Sequence, residues 1–334
     1  MVRPHDPARR VEHDGRPAVQ PKPEDYDYDL DRALGAIVGV RTTIPADAFT
    51  AETLGTERAG HGAIIRNDGL VLTIGYLVTE AETVWLTLAG GKVVPGHVLG
   101  YDQETGFGLV QALARIEVPA LTLGTSSKVK VGDHVVVAGA GGRQNAIAAR
   151  IVAKQEFAGY WEYLLDEAIF TAPSHPHWGG TGLIGPAGEL LGIGSLQVQQ
   201  GGGESSKQSA VDINMIVPID LLKPILDDLT TIGRPSKSPR PWLGIFAAEV
   251  GDRIVIAGMS RKGPASRSSL RVGDIVMSVA GQDVRGLPTF FRNVWALGPA
   301  GAPVPLTINR NGRTMDVTVQ SGDRRTFLRG PVLH

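Results

Sequence analysis

The rhythm of its turns is what most limits the fold of this chain. From about residue 29 to 215, short runs with β-type alternation or a compact apolar stretch are cut by NDG, AGG, AGAGG and GPAGE. The runs include GAIVGVRT, HGAIIRNDGLVLT, TVWLTLAGGKVVPGHVLGYD, DHVVVAGAG, IAARIVAKQE, LLDEAIFTA and ELLGIGSL. Such separators supply the positive-φ backbone of tight reversals, which glycine adopts freely and Asn and Asp tolerate. Strands joined this closely pair antiparallel, because parallel neighbours need a crossover of a dozen or more residues. An antiparallel barrel or sandwich is therefore expected, and the chain should be mostly β. Its 43 glycines and 22 prolines among 334 residues suit many turns better than a helical bundle.

The rest of the chain divides around that region. Residues 1–28 mix Pro, Arg, Asp and Glu without periodicity and are expected to form a disordered arm. A first domain over 29–232 closes on an amphipathic helix, Ile219 to Thr231, with Asp220 as N-cap and Gly233 at the C-terminal cap. GRPSKSPRP (233–241) reads as a semi-extended linker. A second β-rich domain follows over 242–322, its strands DRIVIAGM, DIVMSVAGQDV, VPLTINRNGR and MDVTVQ forming two pairs on AGQD and RNGR turns. One helix is expected there, from Leu287 to about Leu297, and 323–334 form a short tail.

Composition excludes some functions. A formal net charge of -1 argues against a dedicated nucleic-acid surface, and the lack of cysteine removes disulfides and thiolate metal sites. His175 and His177 could supply two metal ligands, but the spacing shows no third, so no metal and no cofactor is expected. No run reaches the roughly 18 apolar residues of a spanning helix. The N-terminus lacks the apolar core of a secretory signal, which makes the cytoplasm the default address, or the periplasm if the true start lies elsewhere.

Several stretches, in order, carry a family resemblance: GAIIRNDGLVLT (62–73), GYDQETGFGLVQAL (100–113), LTLGTSSKVKVGDHVVVAGAGG (121–142), WGGTGLIGPAGELLGI (178–193), MIVPIDLLKPILDDL (215–229), PWLGI (241–245) and GPASRSSLRVGDIVMSVAGQDV (263–284). Together they resemble the HtrA/Deg-type serine proteases with a C-terminal PDZ domain. The resemblance implies a chymotrypsin/trypsin-like double β-barrel with a catalytic triad between the barrels, then a peptide-binding PDZ domain, and commonly a homotrimer.

The triad positions depart from that pattern. Tyr76 stands where the family's T-N-N-H-V run places histidine, in TIGYL (73–77). Gly106 takes the aspartate's place in TGFG (105–108), and Gly179 the serine's place in HWGGTGL (177–183). A phenol with pKa of about 10 is a poor base at neutral pH, and glycine has no side chain to offer. The expectation is a pseudoprotease with no catalytic triad. Two alternatives stay open. Ser174 or Thr181 could pair with His175 or His177 as a displaced site, oriented by Asp166 or Glu167, or these histidines are a solvated loop. Trp178 could plug the cleft or stack on a peptide, and the backbone N–H groups of Gly179 and Gly180 could persist as an empty oxyanion loop.

The PDZ resemblance places a carboxylate-binding loop at Trp242, Leu243, Gly244 and Ile245, a ligand-pairing edge at Phe246 and Ala247, and a facing wall at Phe290, Phe291 and Val294. The expected partners are peptide C-termini with an apolar last residue, or unfolded polypeptides. The leading expectation is an inactive scaffold, adaptor or chaperone-like protein in protein quality control. The alternative is a serine endopeptidase working through residues 174–181.

Overall fold

Six strands close each of two barrels in the computed structural model, which describes residues 19–201 and 210–330. The first barrel contains β1 (Ile37–Thr43), β2 (Glu57–Ile64), β3 (Leu70–Ile74), β4 (Thr83–Thr87), β5 (Val93–Tyr101) and β6 (Phe107–Ala112), hydrogen-bonded in the order β1-β2-β3-β6-β5-β4. The second contains β7 (His134–Ala138), β8 (Ala146–Gly159), β9 (Tyr163–Ala172), β10 (Gly182–Ile184), β11 (Leu190–Gln200) and β12 (Val211–Pro218), in the order β10-β11-β12-β9-β8-β7. All pairings are antiparallel, as the short connections require. Register shifts at Val98/Gly100 and Ile151/Ala153 are bulges, the device that lets a sheet coil into closure.

The second domain is a six-stranded sheet of β13 (Ile245–Val250), β14 (Arg253–Met259), β15 (Ile275–Val279), β16 (Gln282–Asp283), β17 (Pro303–Arg310) and β18 (Arg313–Gln320). The AGQD and RNGR turns form as read: Ala280 and Gly281, then Asn311 and Gly312, all have positive φ, the backbone of a two-residue hairpin. The helices are α1 (Leu30–Gly35), α2 (Ala51–Leu54), α3 (Gly75–Val78), α4 (Leu226–Ile232) and α5 (Leu287–Trp295). Phe290, Phe291 and Val294 of α5 are buried in the core of this domain together with Leu243 and Ile245.

Three expectations change. The helix expected over 219–231 is split: a 3₁₀ turn at Ile219–Leu221 precedes α4, with Pro224 between them. Pro224 has no N–H to donate and its ring crowds the preceding turn. Asp220 does not cap a helix; its carboxylate accepts from Ser127 N and from Lys223, which holds it well below the usual carboxylate range despite some desolvation. The arm expected over 1–28 is ordered from residue 19. Val19 O accepts from Ala148 N and the Tyr28 ring lies against Gly188, while residues 1–18 lie outside the described residues. The tail is docked as well. Phe327 packs 5.0 Å from Trp242 and 5.9 Å from Phe49, and Arg329 N donates to Glu80.

Candidate active-site cleft and peptide groove

Tyr76 sits in the first turn of α3, directly after β3, and Gly179 lies in the loop between β9 and β10. The two meet. A Cβ built on Gly179 would lie 2.6 Å from the Tyr76 hydroxyl, which real Cβ contacts do not permit. That hydroxyl donates to Ser195 O at 2.9 Å and so spans from the first barrel to the second. Burial pushes the phenol far above its ordinary range, so it stays protonated and acts as a donor, not a base. Gly106 completes the cluster through its carbonyl, which accepts from Gly75 N at 2.6 Å. Its φ of +85° is strained for any side chain, and a Cβ there would lie 3.2 Å from Tyr163 Oη. Tyr76 and Gly179 thus meet between the barrels, and Gly106 adjoins them through its bond to Gly75, the residue before Tyr76.

The surrounding loop is sewn shut. Gly180 N donates to Gly194 O, Gly179 O accepts from His61 N, and His177 N turns back onto His175 Nδ1. The empty oxyanion loop expected at Gly179 and Gly180 is therefore not free at Gly180, whose N–H is already bound.

No Ser–His or Thr–His side-chain hydrogen bond forms among the described residues of 174–181. Both ring nitrogens of His175 are engaged, Nδ1 with His177 N and Nε2 with Asn145 O at 3.1 Å. Thr181 Oγ1 donates to Trp178 O. Asp166 is paired with Arg292 and Glu167 with Lys154, so neither orients a histidine. Ser174 is buried, and its hydroxyl finds no partner among the described residues. Among those residues no group of three or more His, Cys, Asp or Glu is placed to hold a metal.

Sequence reasoning missed His61. A lone histidine on an alternating strand reads as a solvated face, yet β2 turns its ring to the barrel interface, 5.9 Å from the His175 ring. Its Nδ1 accepts from Ala140 N, and burial, reinforced by His175 and His177, lowers its pKa to about 4.

The comparisons agree with this architecture. A trypsin-like peptidase domain is matched over residues 60–193 and a PDZ domain over 241–320. The chain is a trypsin-like domain followed by a PDZ domain, a fold shared with HtrA-type proteases of known structure. Among curated relatives it is similar to proteins described as probable periplasmic serine endoprotease DegP-like. The one from Halomonas elongata is 28% identical over 79% of this chain, and that from Pseudomonas putida strain W619 is 29% identical over 78%. The matches span 56% and 55% of those relatives, so the chain covers about half their length. Two solved structures share the fold: the HtrA-type protease AlgW with a decapeptide (TM-score 0.53, 22% identity, 91% of this chain and 98% of that one) and the serine endoprotease from Yersinia pestis (TM-score 0.51, 19% identity, 89% and 98%).

In the PDZ domain, the loop at Leu243, Gly244 and Ile245 has its three N–H groups in use. All donate to the carboxylate of Glu162, from the turn between β8 and β9, at 2.8, 2.7 and 3.0 Å. Desolvation outweighs these donors and pushes the Glu162 carboxyl up to about 7. Gly244 has φ of +74°, which the tight loop requires, and a Cβ there would crowd Gly263 Cα at 3.1 Å. Ile245, Phe290 and Val294 are buried core residues, and Phe246 packs 5.9 Å from the Tyr160 ring. Trp242 joins Phe49 and Phe327 in an aromatic cluster, its N–H and C=O pair with Gly322, and its ring lies against Gly244, whose built Cβ would meet it at 3.1 Å. Glu162 had no signal in the sequence as a loop partner, since only the fold brings residues 81 to 83 apart into contact.

Proposed function

We propose that the chain is an HtrA-type protein that binds peptides or unfolded polypeptides through its PDZ groove and does not hydrolyse them. One observation carries this reading: the place of a nucleophile's Cβ at residue 179 is closed by the Tyr76 hydroxyl. Neither Tyr76 nor Gly106 supplies the base and orienting carboxylate that a serine there would need. Scaffold, adaptor or chaperone-like roles follow from binding without cleavage. The names of the relatives favour the periplasm over the cytoplasm as the place of action. No helix among the described residues is long and apolar enough to cross a membrane.

A second reading, a serine endopeptidase with a displaced nucleophile, draws on the relatives' description as endoproteases and on the unpartnered hydroxyl of Ser174. Incubation of the purified chain with fluorescent casein separates the two. We expect no cleavage above a buffer control; turnover abolished by Ser174→Ala would establish the second reading.

A further inference from the structure

The β8–β9 hairpin closes on three residues, Tyr160, Trp161 and Glu162, and Glu162 has φ of 61°. Hairpin loops of this length commonly end on a left-handed residue, where glycine is the unstrained choice. A glutamate held there is an outlier, and its side chain shows what the strain accompanies. It reaches the PDZ loop, where its carboxylate takes the N–H groups of Leu243, Gly244 and Ile245. PDZ loops use such N–H groups to hold the terminal carboxylate of a ligand.

The remaining elements of a bound peptide are present too. Tyr160 O accepts from Ala247 N at 2.8 Å, as a strand added along β13 would. Leu164, two residues beyond Glu162, is buried in the same hydrophobic cluster as Leu243 and Ile245 of the PDZ domain. On α5, the opposite wall, Arg292 grips both strands of the hairpin through Glu156 and Asp166. Carboxylate, strand bond, apolar contact and a tether to the helix wall all come from this chain.

We propose that the β8–β9 hairpin is the resident ligand of the PDZ groove, with Glu162 standing in for a C-terminal carboxylate, and that a peptide with a free carboxylate and an apolar last residue binds by displacing it. This rests on the reading of the groove as a peptide site. A tethered ligand competes at a high effective concentration, and the apparent affinity for a peptide falls by the fraction of open grooves. A peptide that binds must therefore free a hairpin belonging to the second barrel, which couples PDZ occupancy to the peptidase-fold domain.

The test uses the full chain, native and with Glu162→Gly, which removes the carboxylate while fitting the left-handed turn without strain. Amide exchange of residues 243–247, measured without peptide, should be at least about tenfold faster in Glu162→Gly. Exchange no faster than in the native chain would overturn the proposal. Calorimetry with a short synthetic peptide ending in leucine, as free acid, should then show binding at least about tenfold tighter in the variant. Equal affinity in the two proteins would overturn the displacement and leave the groove as an ordinary peptide site. If exchange rises but neither protein binds the peptide, the resident ligand stands and the peptide-binding function fails. Glu162→Gln, which keeps the side chain's length but offers one acceptor oxygen, should give intermediate exchange; a native exchange rate in that variant together with Glu162→Gly would count against any role for the carboxylate.

Discussion

Tyr76 and Gly179 occupy one volume between them, so each constrains what the other can become. Gly179→Ser alone would force its Cβ against a hydroxyl anchored on Ser195 O, and should destabilise the chain by about 1–3 kcal/mol in urea unfolding. Adding Tyr76→His removes the obstructing hydroxyl, so the double variant should recover more than about 1 kcal/mol relative to additivity. Gly106→Asp is a separate obstacle, because its φ of +85° adds about 1–2 kcal/mol of strain whatever fills the other two positions. His61 sets a pH dependence of its own. Its folded pKa of about 4 lies below the ordinary 6.5, so protonation favours the unfolded chain. Its contribution is complete above about pH 6.5 and is lost as pH falls toward 4, up to about 3 kcal/mol. Unfolding midpoints measured across that window should fall on acidification, and His61→Gln should flatten the slope.

Among the elements, those written in local chemistry were the legible ones. The alternating runs gave the strands, and the AG and NG pairs placed both PDZ hairpin turns, because positive φ is a demand a few residues can meet alone. Pro224 cannot donate within a helix, and a 3₁₀ turn and α4 replace the single helix. Of the three positions read from their flanks, Tyr76 and Gly179 are brought into contact by the fold. Long-range partnerships were not legible: His61 beside His175, Glu162 on the PDZ loop, Trp242 on Phe327. No pattern within a short window encodes such pairs. Arg58 on β2 is another of this kind. It donates to Tyr76 O and Thr79 O and holds α3 and the loop after it in place, and burial lowers its pKa to about 10. Arg58→Met should leave both carbonyls without this donor and lower stability by about 2–4 kcal/mol. A chemical-denaturation curve would register it.

At the scale of the whole molecule, several contacts join the domains, among them the Arg261–Glu52 ion pair, and two are extended. One is the hairpin in the PDZ groove. The other is the C-terminal segment, where Phe327 bridges Trp242 and Phe49 and Arg329 N reaches Glu80 in the first barrel. Deleting residues 323–334 should expose Trp242, now 8% accessible, and shift tryptophan emission to the red without unfolding either domain. Unchanged emission would mean that the C-terminal segment does not shield Trp242. Binding without cutting is consistent with this construction, in which the cleft is closed by a tyrosine and the groove by a glutamate. The sharpest test is treatment of the native chain with a fluorophosphonate followed by intact-mass and peptide mapping. The proposed binding without cleavage predicts no adduct; stoichiometric labelling of Ser174, or of any other serine in the cleft, would show that this chain is a working hydrolase.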